Sequence, residues 1–364
     1  MARHLSEFTI SSFRGISDLK LNNLKDINII TGDNNTGKTS VLELLNYLEA
    51  PDDLRTLLYG TKRKPVTPFR TSEYDKLKYL FPITDTDTKQ IEFSFCLNHQ
   101  TNKITMQKKE EIETLSYLEY KELEKNEKGT SIYIDHENKL DTIDIDYINL
   151  QISSNDEEIL NKNFYEFSRT RYIQKSKLHY IKTIYISPFQ HVESTNYLNS
   201  IFNDPILYEE LLEILKEFDK GIISINVERK EHATFYNILS KEHHQAIPLD
   251  YYGDGMKKAI LLMSAVIQAK NGILLLDEFE TAIHTSAMDH IFAWILKTCM
   301  KLNVQLFLTT HSDEAILKVL KACPELKDNI MQYTLYNKQG KSFVRSLTCE
   351  EALKTREDFD LELR

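Results

Sequence analysis

Apolar runs alternate with amphipathic segments over the last third of the chain. The uninterrupted apolar run Ile273–Leu276 and the mainly apolar segment Val304–Thr309 predict buried strands. The segments Met256–Ala269 and Met288–Met300 repeat apolar residues at helical spacing. Near the N-terminus, Ile27–Thr31 is another apolar strand, and an apolar helical run follows it shortly afterwards. Because strands alternate with helices, the pattern predicts a parallel sheet.

A different pattern surrounds this core. Residues 5–21 read as two short strands joined by a turn, and period-two alternation predicts further strands at Ile91–Leu97 and within Ser131–Ile152. A dense mixture of Lys and Glu over Lys108–Lys128 predicts a solvated hairpin or helix face, with a binding arm as the alternative. The other predicted elements are a strand at Ile184–Ser187, a helix at Leu207–Phe218 and a hairpin of Ile330–Leu335 with Ser342–Leu347.

Composition limits the class of protein. The chain has 364 residues, 41% of them hydrophobic, which is enough for a large core. Its formal net charge of −10 argues against a uniformly basic nucleic-acid binder, although a local basic patch remains compatible with it. Four scattered cysteines and the lack of a long apolar segment predict a reduced, cytoplasmic protein with no membrane partner.

The segment after the first apolar strand fits the phosphate-loop pattern G-x-x-x-x-G-K-[ST]. Its glycines let backbone N–H groups turn towards phosphates at a helix N-terminus. Lys38 would reach the terminal phosphates of ATP, and Thr39 would place its hydroxyl on Mg²⁺. The alternative is an ordinary turn that opens a helix. The residues predicted to bind the nucleotide here are Gly32, Asn34, Asn35, Thr36, Gly37, Lys38, Thr39 and Ser40.

Two acids end the apolar strand Ile273–Leu276. Unpaired buried charge is costly, so Asp277 and Glu278 call for a partner such as Mg²⁺. We expect Asp277 to hold the ion and Glu278 to take a proton from the water that attacks the γ-phosphate. The next apolar strand ends at His311, whose neutral ring could contact the γ-phosphate or that water.

A glycine-rich helix start lies about twenty residues before Asp277. Gly253, Asp254, Gly255 and Lys257 would bring backbone N–H groups and a positive charge to a phosphate. This pattern also serves ordinary turns, and it gains meaning from its order among the other motifs.

Together these motifs resemble the ABC-type ATPases, and more closely the branch shared by the OLD-family nucleases and anti-phage ATPase subunits. The sequence Ser12-Phe13-Arg14-Gly15 is typical of that branch and of SMC-like repair ATPases. The resemblance implies an α/β, ABC-type P-loop NTPase head with a mixed sheet and a helical and β insertion. Residues 1–50 and 180–335 would form the head, 51–179 the insertion and 336–364 a C-terminal tail.

In that family the heads work in pairs, so the resemblance implies at least a homodimer with composite ATP sites. The phosphate loop of one subunit would face the 253–257 signature of another, where Met256 departs from the usual glutamine. Arg14 would lie near the base or phosphates, Gln190 near the metal, and His284 in a loop crossing the dimer interface. Lys38, Glu278 and His311 would be the catalytic residues.

OLD nucleases continue into a metal-dependent nuclease domain, and only about fifty residues follow His311 here. The first functional hypothesis is therefore an ATPase switch that controls a separate effector, a nuclease or toxin, in bacterial anti-phage defence. The alternative is an SMC-like ATPase that clamps DNA, using basic residues such as Lys62, Arg63 and Lys64, or Arg169 and Arg171. An ABC transporter subunit fits the long insertion and the altered signature poorly.

Overall fold

Two six-stranded sheets and one three-stranded sheet organise the part of the chain that the computed structural model describes. That part comprises residues 4–59, 72–82, 88–128, 142–167, 176–188, 198–230, 233–243, 245–281 and 285–359. The strands are β1 (Leu5–Phe13), β2 (Ile16–Leu21), β3 (Ile27–Gly32), β4 (Thr88–Leu97), β5 (Gln100–Ser116), β6 (Thr142–Ser154), β7 (Glu157–Tyr165), β8 (Thr183–Ile186), β9 (Ile222–Lys230), β10 (Ala233–Ser240), β11 (Ile247–Pro248), β12 (Ile273–Leu276), β13 (Gln305–Thr309), β14 (Ile330–Lys338) and β15 (Lys341–Thr348).

The first large sheet is antiparallel throughout and has the order β2-β1-β4-β5-β6-β7. Its inner face carries alternate apolar residues such as Phe8, Ile10 and Phe93, which are fully buried. This alternation is what an antiparallel sheet with one covered face requires. The prediction of strands at 91–97 and in the described part of 131–152 is confirmed, whereas residues 131–141 lie outside the described residues.

The second large sheet has the order β15-β14-β3-β13-β12-β8. Its strands run parallel except β15, which pairs antiparallel with β14. All residues of β3, β12 and β13 are buried, as expected for strands covered on both faces. The predicted α/β fold with a mixed sheet is confirmed, and the carboxyl ends of β3, β12 and β13 meet at one edge.

Helices cover the two faces of this mixed sheet. α1 lies on one face between the two large sheets, and α7, α8 and α9 contribute to the core on the other face. The α-helices of the described residues are α1 (Lys38–Tyr47), α2 (Arg55–Tyr59), α3 (Glu73–Leu80), α4 (Tyr117–Lys128), α5 (Asn199–Phe202), α6 (Pro205–Leu215), α7 (Asp254–Gln268), α8 (Thr285–Lys301), α9 (Asp313–Ala322) and α10 (Cys349–Phe359).

Most residues of α1, the helix that follows the glycine-rich loop, are buried. In α1, Leu42 and Leu45 share one apolar cluster with Phe93 of the antiparallel sheet and with Leu275 of the mixed sheet. The ring of Tyr47 also meets that of Phe93 edge to face, with centroids 6.4 Å apart. The loop before α1 is therefore anchored to an apolar cluster that includes residues of both sheets.

The predicted division of the chain cuts through hydrogen-bonded strands. β1 of the predicted head pairs with β4 of the predicted insertion, so one sheet spans both. The boundary at residue 335 falls inside β14, and β15 and α10 continue the head beyond it. The charged stretch 108–128 forms the end of β5 and α4, and one of its lysines, Lys108, is buried. No helix in the described ranges is long and apolar enough to cross a bilayer.

Candidate active site

The loop between β3 and α1 has a shape that two glycines permit. Gly32 and Gly37 have φ angles of 134° and 99°, a region that side chains disfavour. A Cβ on Gly32 would lie 2.2 Å from the carbonyl oxygen of Leu335, and one on Gly37 would lie 2.7 Å from the side chain of Ile16. The two glycines are therefore needed both for the backbone conformation and for space.

The loop presents its backbone outwards. Asn34 and Asn35 are exposed, while the Thr36 hydroxyl donates to the Asp33 carbonyl at 2.8 Å and closes the turn. Asn337 of β14 donates to the Asn35 carbonyl at 3.3 Å. No side chain caps the N-terminus of α1, so the amides of its first turn face the space in front of the loop. Such amides and the helix dipole attract phosphate.

Lys38 lies across this loop. Its Nζ donates to the carbonyl oxygens of Gly32 at 2.6 Å and Asp33 at 2.8 Å, and the side chain is almost completely buried. The ammonium group is thus held where the loop encloses it. A nucleotide phosphate entering the loop would meet this positive charge together with the α1 amides.

Asp277 is the centre of the second half of the site. It follows β12 directly and is 1% exposed. Thr39 of α1 donates to its two carboxylate oxygens at 3.2 and 3.1 Å. Thr309 of β13 donates to Oδ1 at 2.6 Å, and the Tyr185 hydroxyl of β8 donates to Oδ2 at 2.9 Å. The structure brings the predicted pair Thr39 and Asp277 together and adds two residues that the sequence reasoning missed.

Glu278 lies at the rim of the same site. Its φ of 46° turns the chain sharply after β12, and its backbone N–H donates to the Thr309 hydroxyl at 2.9 Å. The turn directs the carboxylate away from the core, and its Oε1 lies 3.9 Å from Nε2 of His311. Both side chains are about two-fifths exposed, at 41% and 36%. A carboxylate and an imidazole therefore flank a solvent-accessible position in front of the buried Asp277.

Glu280 fixes the segment that carries His311. Its Oε1 accepts a hydrogen bond from the Thr310 hydroxyl at 2.6 Å and from the His311 N–H at 3.3 Å. The position of His311 therefore depends on an acid three residues after Asp277.

The predicted signature stands at the N-terminus of α7. Gly253 precedes this 15-residue helix, no side chain caps it, and Gly253 and Asp254 are exposed. Lys257 lies 3.4 Å from Asp254. An open cleft of about 730 Å³ adjoins the signature, and the ring of Tyr251 on its wall is 82% exposed. The signature is thus accessible from outside the chain.

The sequence predicts three further site residues, Arg14, Gln190 and His284. Arg14 forms an ion pair with Glu43 of α1, and its guanidinium lies 5.0 Å from the centroid of the Phe13 ring. This places Arg14 against the helix that begins at the phosphate loop, and its predicted contact with the nucleotide stays a prediction. Gln190 and His284 lie outside the described residues.

Thr39 and Asp277 fit a Mg²⁺ ion. A hydroxyl and a carboxylate lie side by side, and hard oxygen ligands of this kind suit Mg²⁺, which keeps waters and phosphate oxygens in its remaining positions. Within the described ranges no group of three or more His, Cys, Asp or Glu residues could hold a metal by itself. Phosphate oxygens of a bound nucleotide would therefore complete the ligands of the ion beside Thr39 and Asp277.

The fold and the phosphate loop define a head domain with the ABC-type P-loop fold. The phosphate loop follows one strand of the mixed sheet, and the acids and the histidine follow two others. The chain belongs to the family described as "AAA domain, putative AbiEii toxin, Type IV TA system", whose model matches residues 27–317. The narrower assignment to the OLD-family branch stays a prediction.

Two known proteins are similar to this chain in sequence. The chain is 24% identical over 362 residues to a Helicobacter pylori protein named "ATP/GTP phosphatase", covering 92% of this chain and 90% of that one. It is 32% identical over 114 residues to an uncharacterised protein of Methanocaldococcus jannaschii, covering 31% of this chain and 98% of that one.

A solved structure confirms the fold. An SMC head bound to the C-winged helix domain of ScpA aligns over 96% of this chain and 99% of that chain, with a TM-score of 0.52 and 12% identity. At this identity the likeness concerns the fold alone.

Proposed function

We propose that the protein binds ATP with Mg²⁺ at this edge of the mixed sheet and hydrolyses it. The observation that carries the proposal is the contact of Thr39 with Asp277, with Glu278 as the next residue and His311 within 3.9 Å of it. A buried carboxylate beside the phosphate loop and an accessible one further out are the two acids that phosphoryl transfer to water needs. The name of the Helicobacter pylori relative supports the same chemistry.

Each residue has a separate task in this proposal. Lys38 and the α1 amides bind the phosphates, and Thr39 and Asp277 hold the ion. Bound Mg²⁺ would neutralise phosphate charge. Glu278 accepts the proton of the attacking water, because its carboxylate is accessible and directed outwards. His311 contacts the γ-phosphate or the water and so distinguishes ATP from ADP.

The accessible signature supports an oligomer with composite sites. Gly253, Asp254, Gly255 and Lys257 lie at an exposed helix N-terminus that no side chain of this chain caps. Its amides are therefore open to a phosphate presented by a second subunit. We infer that ATP bound by one subunit is closed over by the signature of another, in at least a homodimer.

We also propose that the ATPase acts as a switch for another protein. The family description names a type IV toxin–antitoxin system, which supports action as one component of a two-protein system. After His311 the described residues form α9, the β14–β15 hairpin and α10. We infer that ATP binding or hydrolysis controls a separate effector, a nuclease or toxin, in anti-phage defence.

The decisive experiment for the catalytic proposal is steady-state ATP turnover of the wild type and Glu278→Gln. Removing the general base should lower kcat by about 100-fold or more and leave ATP binding intact. Glu213→Gln is the matched control, since Glu213 is exposed on α6 and pairs only with the nearby Lys216. Equal turnover of the wild type and Glu278→Gln would overturn the proposal.

The oligomer and the effector need their own measurements. With ATP and Mg²⁺, Glu278→Gln should accumulate a dimer or larger species in light scattering, and Gly253→Arg should prevent it. The product of the neighbouring gene, expressed with this chain, should change its activity between the wild type and Glu278→Gln. An effector with the same activity in both would contradict the switch role.

DNA clamping remains the second candidate, supported by the likeness of the fold to an SMC head. The basic residues that the sequence offered for it, at 62–64, 169 and 171, lie outside the described residues. The hypothesis predicts duplex DNA binding that weakens steeply with salt. A flat binding curve at low salt would rule against it.

A further inference from the structure

Lys258 is a buried lysine whose ammonium has no hydrogen-bond partner. It lies on α7, is 0% exposed, and its Nζ forms no hydrogen bond with the described residues. A buried charged group without hydrogen bonds is costly, and lysines are seldom fully buried unless they are paired. The neighbouring Lys257, by contrast, is partly exposed and lies near Asp254. Burial of the Lys258 ammonium therefore does not favour folding, which indicates a functional role for this side chain.

A second unpartnered group of opposite charge lies in the same region. Oε2 of Glu280 is buried and has no hydrogen-bond partner, whereas Oε1 of the same carboxylate holds Thr310 and His311. Glu280 is the acid that attracts the Lys258 ammonium most strongly, followed by Asp277 and Glu278. Burial outweighs this attraction and lowers the pKa of Lys258 to about 8. Ala259 and Phe279, the chain neighbours of Lys258 and Glu280, also belong to one apolar cluster, so the two buried groups of opposite charge lie in the same part of the core.

We propose that Lys258 is a positioning residue, which holds the Glu280 carboxylate by its charge and so fixes His311 and ties the signature helix to the catalytic residues. The proposal rests on the proposed ATPase function for its catalytic consequence. The coupling between Lys258 and Glu280 does not depend on ATP hydrolysis. One oxygen of Glu280 accepts a hydrogen bond from the His311 N–H, and the negative charge of the carboxylate attracts the Lys258 ammonium.

The position of Lys258 in α7 connects the signature with Glu280. Lys258 lies one helical turn after Asp254, on a helix whose exposed N-terminus carries the signature. An α-helix moves as a unit over one turn, so a displacement at Gly253 is carried to the Lys258 backbone. A second subunit that docks on the signature would thereby act on Glu280 and His311 of the same chain.

The main test compares Lys258→Met with the wild type and with Lys108→Met. Met has a similar length and removes an ammonium whose burial costs more than the attraction of the acids returns, so Lys258→Met should leave the urea midpoint unchanged or raise it. Its kcat for ATP should nevertheless fall about tenfold, with KM changed less than twofold, because the phosphate loop is intact. Lys108 is a matched buried lysine that pairs with Glu110 away from the site, so Lys108→Met should lower the midpoint and keep kcat.

A double-mutant cycle with Glu280→Gln tests the pair without relying on hydrolysis. Glu280→Gln should lower the urea midpoint in the wild-type background, where it removes the strongest attraction on the buried Lys258 ammonium. In the Lys258→Met background the same change should leave the midpoint unchanged or raise it. The double variant should also have a kcat no lower than the worse single variant.

The outcomes separate the two proposals. If the wild type has no ATPase activity, the proposed function fails, and the urea cycle still decides whether Lys258 and Glu280 are coupled. If the wild type is active, an unchanged kcat in Lys258→Met overturns the inference. A loss of kcat that accompanies a loss of stability overturns it too. Equal midpoint shifts for Glu280→Gln in the two backgrounds would also overturn it.

Discussion

The Thr309 hydroxyl donates a hydrogen bond of 2.6 Å to the Asp277 carboxylate, across the junction of two parallel strands. The same hydroxyl accepts the backbone N–H of Glu278 at 2.9 Å. One side chain of β13 therefore orients both acids that follow β12. Tyr185 supports Asp277 from β8 on the other side, so the carboxylate is held from both neighbouring strands.

Thr309→Val should therefore impair the site although no proposed catalytic atom is changed. Loss of a hydrogen bond to a buried carboxylate should cost about 2 kcal/mol of unfolding free energy and lower ATP turnover about tenfold. Tyr185→Phe should have a smaller effect of the same kind. Urea unfolding and steady-state kinetics measure the two quantities.

The control for Thr309→Val is Thr114→Val, which removes an exposed threonine–aspartate hydrogen bond of 2.6 Å to Asp144. We expect it to change the unfolding free energy by less than about 0.5 kcal/mol and to leave turnover alone. Equal effects of Thr309→Val and Thr114→Val would show that Asp277 is not oriented by β13.

Gly32→Ala should disable the phosphate loop. The new methyl would meet the Leu335 carbonyl oxygen at 2.2 Å, and the φ of 134° disfavours any side chain. We expect a loss of several kcal/mol of stability and no measurable ATP binding in isothermal titration calorimetry. Gly340→Ala shares a positive φ but has open space around the position, so it should cost only about 1 kcal/mol and bind ATP normally.

The stability of the wild type should rise with pH above 8 because of Lys258. Its pKa is about 8 in the folded chain, against a usual value of 10.5. Between these values the unfolded chain binds more protons than the folded chain, so the unfolding free energy increases as pH rises. Below pH 8 both states are protonated and this contribution is constant.

Urea unfolding of the wild type and Lys258→Met at pH 7, 9 and 10, with EDTA present, measures this effect. The wild type should gain on the order of 2 kcal/mol relative to Lys258→Met by pH 10. Curves that run parallel from pH 7 to 10 would contradict the assignment.

Thiol labelling of the native protein should modify Cys96 first. Cys96 is partly exposed on β4, whereas the other three cysteines are buried. Burial also raises the pKa values of Cys299, Cys323 and Cys349, which lowers their thiolate fractions. A disulfide reagent should therefore react promptly with one thiol per chain, and with none promptly in Cys96→Ser. Rapid release of two or more equivalents from the wild type would contradict the buried placement.

Much of the core and half of the site follow from the sequence. The apolar runs at Ile273–Leu276 and Val304–Thr309 have no other stable placement than a sheet covered on both faces. The glycines and Lys38 match the phosphate-loop pattern, and Asp277 is a charged residue that directly follows a buried strand. These signals are local, so they can be detected without knowledge of the tertiary structure.

The remaining site residues depend on contacts that no local pattern encodes. Tyr185 and Thr309 are ordinary strand residues until β8 and β13 are placed on either side of β12. Adjacent Lys257 and Lys258 are indistinguishable in the sequence, yet packing of α7 buries only the second completely. The predicted boundary at residue 335 lies within β14, because the pairing of β14 with β15 extends to Lys338 and Lys341.

The burial of α1 between the two large sheets has a mechanical consequence. Since its side chains pack against both, the phosphate loop cannot shift without moving one sheet relative to the other. β5 belongs to the antiparallel sheet and has 17 residues, which corresponds to a length of roughly 55 Å. A rotation of about 5° at α1 would displace the far end of a lever of that length by about 5 Å. We therefore expect a small movement of α1 to be larger at the far end of the antiparallel sheet.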